Sequence, residues 1–334
     1  LDSVHAHWLL GSSKPTLAAE EVAASTLASV RLRAGALSRC SRQLQVTFGR
    51  EVPREASIII VGKIGADDIE ARSRQWLDLI SEARTSGKTV ILDYTDHHLG
   101  YPSVMGEFYS RAVALIDHVV VPSAAMARLL SRFFDRSIKV IPDAIEVPMV
   151  DPGHKTTDRH GLSVDRKVLW FGHQSNLPYL LDWLRDLHLP GVSLQLTILT
   201  SDVGVSLLRN STIASKTKIS CSAALWSIQT MLKSAMISDL CVIPCGVSDP
   251  KKQGASSNRL LTALAMGLPT AADPLESYGE YTQYFTELRS RAFLDLLASP
   301  PSFHPLVRAA QKGPVAEHSL EKVGGKWRDF LLDF

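Results

Sequence analysis

Three polar stretches of this sequence have residue types and spacings that could do chemistry. In Asp249-Pro-Lys-Lys-Gln-Gly-Ala-Ser-Ser-Asn-Arg259, two lysines and an arginine flank Ser256 and Ser257, either of which can cap a helix by accepting a backbone N–H bond. The helix predicted next, Leu260–Met266, ends at Gly267, and Pro269 blocks its continuation. Helix-start amides with Lys251, Lys252 and Arg259 close by make a seat for a phosphate or diphosphate. The second stretch, Gly172-His-Gln-Ser-Asn176, follows an apolar run and precedes a helix, the arrangement that carries backbone N–H groups to a phosphate. The third, Asp93-Tyr-Thr-Asp-His-His-Leu-Gly100, closes a strand, and polar residues at the carboxyl end of a central parallel strand point into the crevice where open α/β sheets bind ligands. There Asp96 would take a proton from an attacking hydroxyl and His97 would hydrogen-bond a bound polar group, while Asp93 would fix loop backbone. Each stretch also has a plainer reading: a surface loop with a capped helix, a glycine turn, and a cap or turn role for Asp96.

Lys252, Ser256-Ser-Asn-Arg259 and Leu260-Leu-Thr-Ala-Leu-Ala-Met-Gly-Leu-Pro269 resemble the donor-site segment of GT-B glycosyltransferases, particularly family 4. The resemblance implies an α/β protein of two Rossmann-like, doubly wound domains facing a cleft. The second domain would hold the nucleotide diphosphate and ribose of a sugar donor. The family's two glutamates, eight positions apart, correspond to Gly254 and Thr262, and its arginine after the glycine loop corresponds to His173. Either the cationic role moves to Lys252 and Arg259 or the donor carries a different phosphate count, such as a monophosphate, with Gly172, His173, Asn176, Ser256, Ser257, Asn258, Thr262 and Glu276 as the donor-binding set and Tyr278 as a further sugar contact. Asp96 and His97 fall where the family carries a strand-end motif, and Arg31 and Arg33, after the first strand, would reach an anionic donor or acceptor. Those arginines also fit a solvated helix face or an acidic membrane surface. Trp226 falls near the nucleobase loop, with a core role as its alternative. The implied activity is metal-independent transfer of a sugar from a nucleotide-sugar donor to a hydroxyl of a glycan, glycolipid or small molecule, with retention, as in polysaccharide biosynthesis. No cofactor is expected. The alternatives are a GT-B sugar-nucleotide epimerase, or a degenerate GT-B-like binding or scaffold subunit, which the two altered glutamate positions favour.

The elements that must position these residues read as alternating strands and helices. Strands are expected at Ser3–Leu10, Ser57–Gly62, Lys88–Asp93, His118–Pro122, Lys167–Gly172, Ser193–Leu199, Lys218–Cys221 and Ile237–Pro244. Helices are expected at Asp67–Ser86, at Ala124–Phe134 after Ser123 as cap, at Leu225–Ala235, and within Glu20–Gln43. Ile141-Pro-Asp-Ala144 resembles the family's crossover, and the charged, apolar-poor Val150–Arg166 reads as a linker. Domains are therefore expected at 1–149 and 150–320, with a final helix at 321–334 crossing back to the first.

At 334 residues with 45% hydrophobic content, the chain can bury a core of two domains. Its 36 basic and 34 acidic residues leave +2, no nucleic-acid signature. Cys40, Cys221, Cys241 and Cys245 suit neither a disulfide framework nor a zinc site. No run approaches the roughly 18 to 20 apolar residues of a membrane span. A cytoplasmic protein, at most peripheral at the inner membrane face, is expected, and the start at Leu1 suggests a trimmed N-terminus.

Overall fold

The computed structural model describes residues 4–40, 44–65, 68–154, 164–209 and 217–334. The chain forms two compact units: Leu1–Ala144 with Pro250–Ser256 and Glu317–Phe334, and Ile145–Asp249 with Ser257–Ala316. Most of the expected linker, 155–163, lies outside the described residues, as do Ser3, Gln43 and Asp67 at the ends of expected elements.

The first unit is built on β1 (Val4–Leu9), β2 (Thr16–Leu17), β3 (Leu44–Gly49), β4 (Ile58–Val61), β5 (Thr89–Asp93), β6 (His118–Val121) and β7 (Ile138–Val140). They lie in the order β2-β3-β1-β4-β5-β6-β7, parallel throughout except β2. A strand covered on both faces must be apolar at consecutive positions, and Ile58-Ile-Ile-Val61 is buried at all of them. One face is covered by the helix Ile69–Thr85, whose Trp76, Leu77, Ile80 and Ala83 recur at helical spacing into the core. The other is covered by the last helix, Leu320–Leu332, with Trp327 packed on Trp8 at 4.7 Å between ring centres. The loop and helix expected over Glu20–Gln43 are a short helix, Ala19–Ala23, then a loop and a helical segment that opens with a π-helical turn, Val30–Ala34, and runs on through Gly35–Ser38. Arg33 thereby points inward.

The second unit's strands are β8 (Val164–Phe171), β9 (Val192–Thr200), β10 (Lys218–Leu225), β11 (Leu240–Ile243), β12 (Thr270–Ala272) and β13 (Thr286–Glu287). All are parallel, in the order β10-β9-β8-β11-β12-β13. Numbered within the unit this is 3-2-1-4-5-6, the doubly wound order of dinucleotide-binding sheets. β10 runs to Leu225, so the expected helix at Leu225 begins at Ile228, where Ser227 caps it. The helix Asn258–Ala265 stops at Gly267, whose φ of +74° an L side chain resists and whose missing Cβ leaves room for the Val150 carbonyl, 2.5 Å from where that atom would lie. Gln311 closes the same end, its Nε2 donating to the carbonyls of Val150, Leu264 and Ala265.

Candidate functional site

In a doubly wound sheet the first strand's two neighbours connect in opposite directions, and the crevice opens at the carboxyl ends there. In the second unit that point lies between β8 and β11. Gly172 leaves β8, its N–H donating to Leu199 O at 3.0 Å, and Cys245 leaves β11, its N–H donating to Asp273 Oδ2 at 2.9 Å. Arg259, on the first turn of Asn258–Ala265, reaches this point. Its Nη2 donates to Cys245 Sγ at 3.3 Å, while Nη1 is buried and has no hydrogen-bond partner among the described residues. A Cβ at Gly172 would stand 3.4 Å from that Nη1, so glycine keeps the space beside it open. Tyr278 also hydrogen-bonds Cys245, and burial pushes the thiol pKa up, so this sulfur is a neutral prop. A permanently charged guanidinium with an orphan N–H beside a glycine loop can bind an oxyanion.

The other donor-site expectations divide. His173 caps a short turn, its Nδ1 contacting Ser175 Oγ at 3.0 Å and accepting from Ser175 N at 3.3 Å, and Asn176 stands at the start of Leu177–Asp186. Ser257 occupies the cap position of Asn258–Ala265 but makes no side-chain cap bond; it is hydrogen-bonded to Tyr281 instead. Thr262 is 4% exposed, within the helix's buried face, and so presents no hydroxyl to a ligand. Tyr278, expected as a sugar contact, is buried on Cys245, whereas Glu276 is exposed and Trp226 half-buried.

The run read as one site divides between the two units after Ser256. Pro250–Ser256 belongs with the first, where Ser123, capping Ala124–Leu130 by accepting from Met126 N, donates its own hydroxyl to Gly254 O at 3.0 Å. A Cβ at Gly254 would lie 2.9 Å from Met126 Cα, which explains why this glutamate position of the resemblance carries glycine. Lys251 lies over the Tyr101 ring at 4.3 Å, and Lys252 is close enough to Asp96 to act on its charge.

Asp96 is ion-paired with Lys63. Burial raises its pKa, but the Lys63 charge and hydrogen bond, with help from His98 and Lys252, outweigh it and hold the carboxyl below its usual range. A carboxylate so stabilised is a poor proton acceptor. The Tyr94 hydroxyl accepts from His98 N at 2.7 Å and Leu99 N at 3.0 Å, which directs its own proton to His97 Nδ1 at 3.1 Å. His97 is buried against Tyr101 and Phe133, and burial, then Arg132 and Lys251, lower its pKa, so it is a neutral ring. Arg33 corrects the expectation of an anion contact. It is fully buried, with Nε donating to Asp93 at 2.8 and 3.0 Å and Nη1 to Asp143 at 3.0 Å and Ile141 O at 2.7 Å; Nη2 lies 2.7 Å from Asp93 as an ion pair without a hydrogen bond of its own, so the charge is matched by two carboxylates inside the unit and is not presented to a ligand. Arg31 is also buried and donates to Ser25 O at 2.6 Å. Sequence reasoning missed Cys245 and Lys63; Lys63, between Gly62 and Gly65 just past a buried strand, carried a readable signal.

Two parallel doubly wound sheets in one chain, each with its crevice at a switch point, define the class. No family model matches the sequence, and no curated protein matches it. Solved structures do. An α-glucosyltransferase in complex with UDP superposes with a TM-score of 0.59 at 8% identity, over 98% of this chain and 99% of that one. HepE from Anabaena, in complex with UDP and glucose, gives 0.57 at 13% identity over 98% and 99%. A sucrose-phosphate synthase from Thermosynechococcus elongatus gives 0.61 at 12% over 99% and 98%. The chain has the GT-B fold of these glycosyltransferases.

Proposed function

We propose that this protein is a glycosyltransferase that takes a sugar from a nucleoside-diphosphate donor, with UDP the first candidate because UDP accompanies two of the similar structures. The observation that carries the reading is the orphan Nη1 of Arg259 beside Gly172 at the second unit's switch point. A donor phosphate there satisfies that N–H. As the bond from the anomeric carbon to the phosphate oxygen breaks, the electron pair stays on the phosphate, where the guanidinium is worth most. The acceptor oxygen bonds the anomeric carbon, and its proton passes to the departing phosphate. Asp96, held as a carboxylate by Lys63, is a weak base, which favours this retaining course over inversion. Protein cations carry the charge, so the scheme invokes no metal. The acceptor hydroxyl belongs to a glycan or glycolipid, and the reaction is cytoplasmic. Among the described residues no helix is long and apolar enough to cross a membrane.

One observation favours the degenerate-scaffold alternative: neither glutamate position offers a ribose carboxylate, since Gly254 is packed on Met126 and Thr262 is buried. Thermal shift with nucleoside mono- and diphosphates separates the two. UDP at about 100 times its Kd stabilises by about 2.7 kcal/mol in the transferase reading, and Arg259→Ala abolishes that shift with the fold intact. No response to any nucleotide would leave the scaffold.

A further inference from the structure

The first unit has its own switch point, between β1 and β4, and there too an arginine holds a buried N–H with no hydrogen-bond partner among the described residues. Arg72, on the first turn of Ile69–Thr85, lays its guanidinium over the loop that leaves β1. A Cβ at Gly11 would be 3.3 Å from Nη1, 3.4 Å from Cζ and 3.6 Å from Nε. The same Nη1 would be 2.9 Å from a Cβ at Gly65, on the loop that leaves β4. A side chain at either position would push the guanidinium away, and both are glycine. Nη1 is buried, and among the described residues it has no hydrogen-bond partner. The two glycines that flank Nη1, Gly11 and Gly65, also line a cavity of about 210 Å³, together with Ser12, Lys63 and Glu21, the last ion-paired with Lys14. Lys63 adds a second cation, shared with Asp96.

A buried guanidinium N–H without an acceptor costs free energy unless something fills the place. We infer that Arg72, with Lys63, binds an oxyanion on the acceptor substrate, so that the sugar is passed to a molecule carrying a phosphate or a carboxylate close to its reactive hydroxyl. This rests on the transferase reading for the word acceptor; the anion site itself stands on the geometry of the first unit alone. The chemistry fits the sheet, because the crevice at the strands' carboxyl ends is where a doubly wound domain receives its ligand. Arg33 in the same unit is ion-paired with two aspartates, whereas Arg72 has no carboxylate partner among the described residues.

The probe is inorganic phosphate, titrated against a chloride control of equal ionic strength by thermal shift and by ³¹P line broadening. It is added with the second unit's site first saturated by UDP. Wild type is expected to be stabilised further by phosphate, and Arg72→Ala to weaken phosphate about tenfold or more, the scale of one charge-assisted hydrogen-bond pair. Gly65→Ala keeps the charge but displaces the guanidinium; it is expected to weaken phosphate as well, and it carries the test should Arg72→Ala fail to fold. Substituting inorganic carbonate or acetate for phosphate tells a phosphate-reading site from a carboxylate-reading one. An anion response unchanged in both variants, or no response of wild type to phosphate, carbonate or acetate beyond chloride, overturns the inference. If UDP fails to bind while phosphate binding still depends on Arg72, the donor reading falls and the anion site remains.

Discussion

Replacing Arg33 with methionine removes one cation from between two carboxylates in a place water does not reach. Arg33 is 0% exposed and its partners Asp93 and Asp143 are 2% and 12% exposed as side chains. Burial pushes the Asp93 pKa up further than Arg33 pulls it down, so this carboxylate depends on the guanidinium to stay charged. Taking away one member of a buried pair typically costs about 3 to 5 kcal/mol, because the charge left behind has neither solvent nor partner. Arg33→Met also frees the Ile141 carbonyl and uncovers the Trp327 ring, over which the guanidinium lies at 5.2 Å. The companion variant is Asp93→Leu, and the double variant removes charge and countercharge together. Each single variant is expected to shift the urea transition of the first unit down by an amount corresponding to about 3 kcal/mol or more, and the double variant to lose much less than the sum. Nucleotide and phosphate binding, measured below the transition, should be unchanged in whatever folds. The reasoning is refuted if Arg33→Met costs under about 1 kcal/mol, or if it weakens anion binding while leaving stability alone, for then the arginine faces a ligand after all.

Two more outcomes follow from particular residues. His7, fully buried on β1 with Nδ1 2.9 Å from Thr47 Oγ1, has its pKa lowered by burial to about 4. Its native pKa lies below the unfolded value, so its contribution is whole above pH 6.5 and is lost as pH falls towards 4; by linkage this amounts to about 3 kcal/mol, and His7→Asn should flatten that part of a stability-against-pH curve. Gly254→Glu restores the carboxylate that the GT-B resemblance expects but drives a Cβ to 2.9 Å from Met126 Cα; a loss of about 1 to 3 kcal/mol in thermal melts is expected, and a neutral result would show that Pro250–Ser256 is free to shift.

How much of this was legible depended on whether the signal was local. The end of Asn258–Ala265 was, because Gly267 and Pro269 act on their own backbone, and so were the continuous apolar runs of β4 and β5. β3 went unread since Leu44-Gln-Val-Thr-Phe-Gly49 mixes polar and apolar residues, its edge shared only with the two-residue β2. The arginines illustrate the limit most clearly. Arg33 has the sequence surroundings of an exposed basic helix, yet its role is decided by Asp93 and Asp143, 60 and 110 positions away, which no window of sequence contains. Arg72 gave no sequence signal at all. What makes it distinctive is the lack of a partner, and a missing contact leaves no pattern in the chain.

The departure at His173 and the orphan N–H of Arg259 have one explanation. The proposed donor site wants a cation where β8 and β11 diverge, and one can be supplied from the loop after the glycine or from the helix that begins at Asn258. Here the loop position holds a histidine turned back onto Ser175, which contributes a turn and no fixed charge. The helix supplies Arg259 instead, propped on Cys245, with Nη1 next to the space that Gly172 leaves empty. A guanidinium anchored by one nitrogen and offering another is stiffer than one reaching out from a loop, because its own rotamers are restricted before any ligand arrives. That preorganisation comes from Cys245, so a sulfur that does no chemistry sets where the positive charge stands.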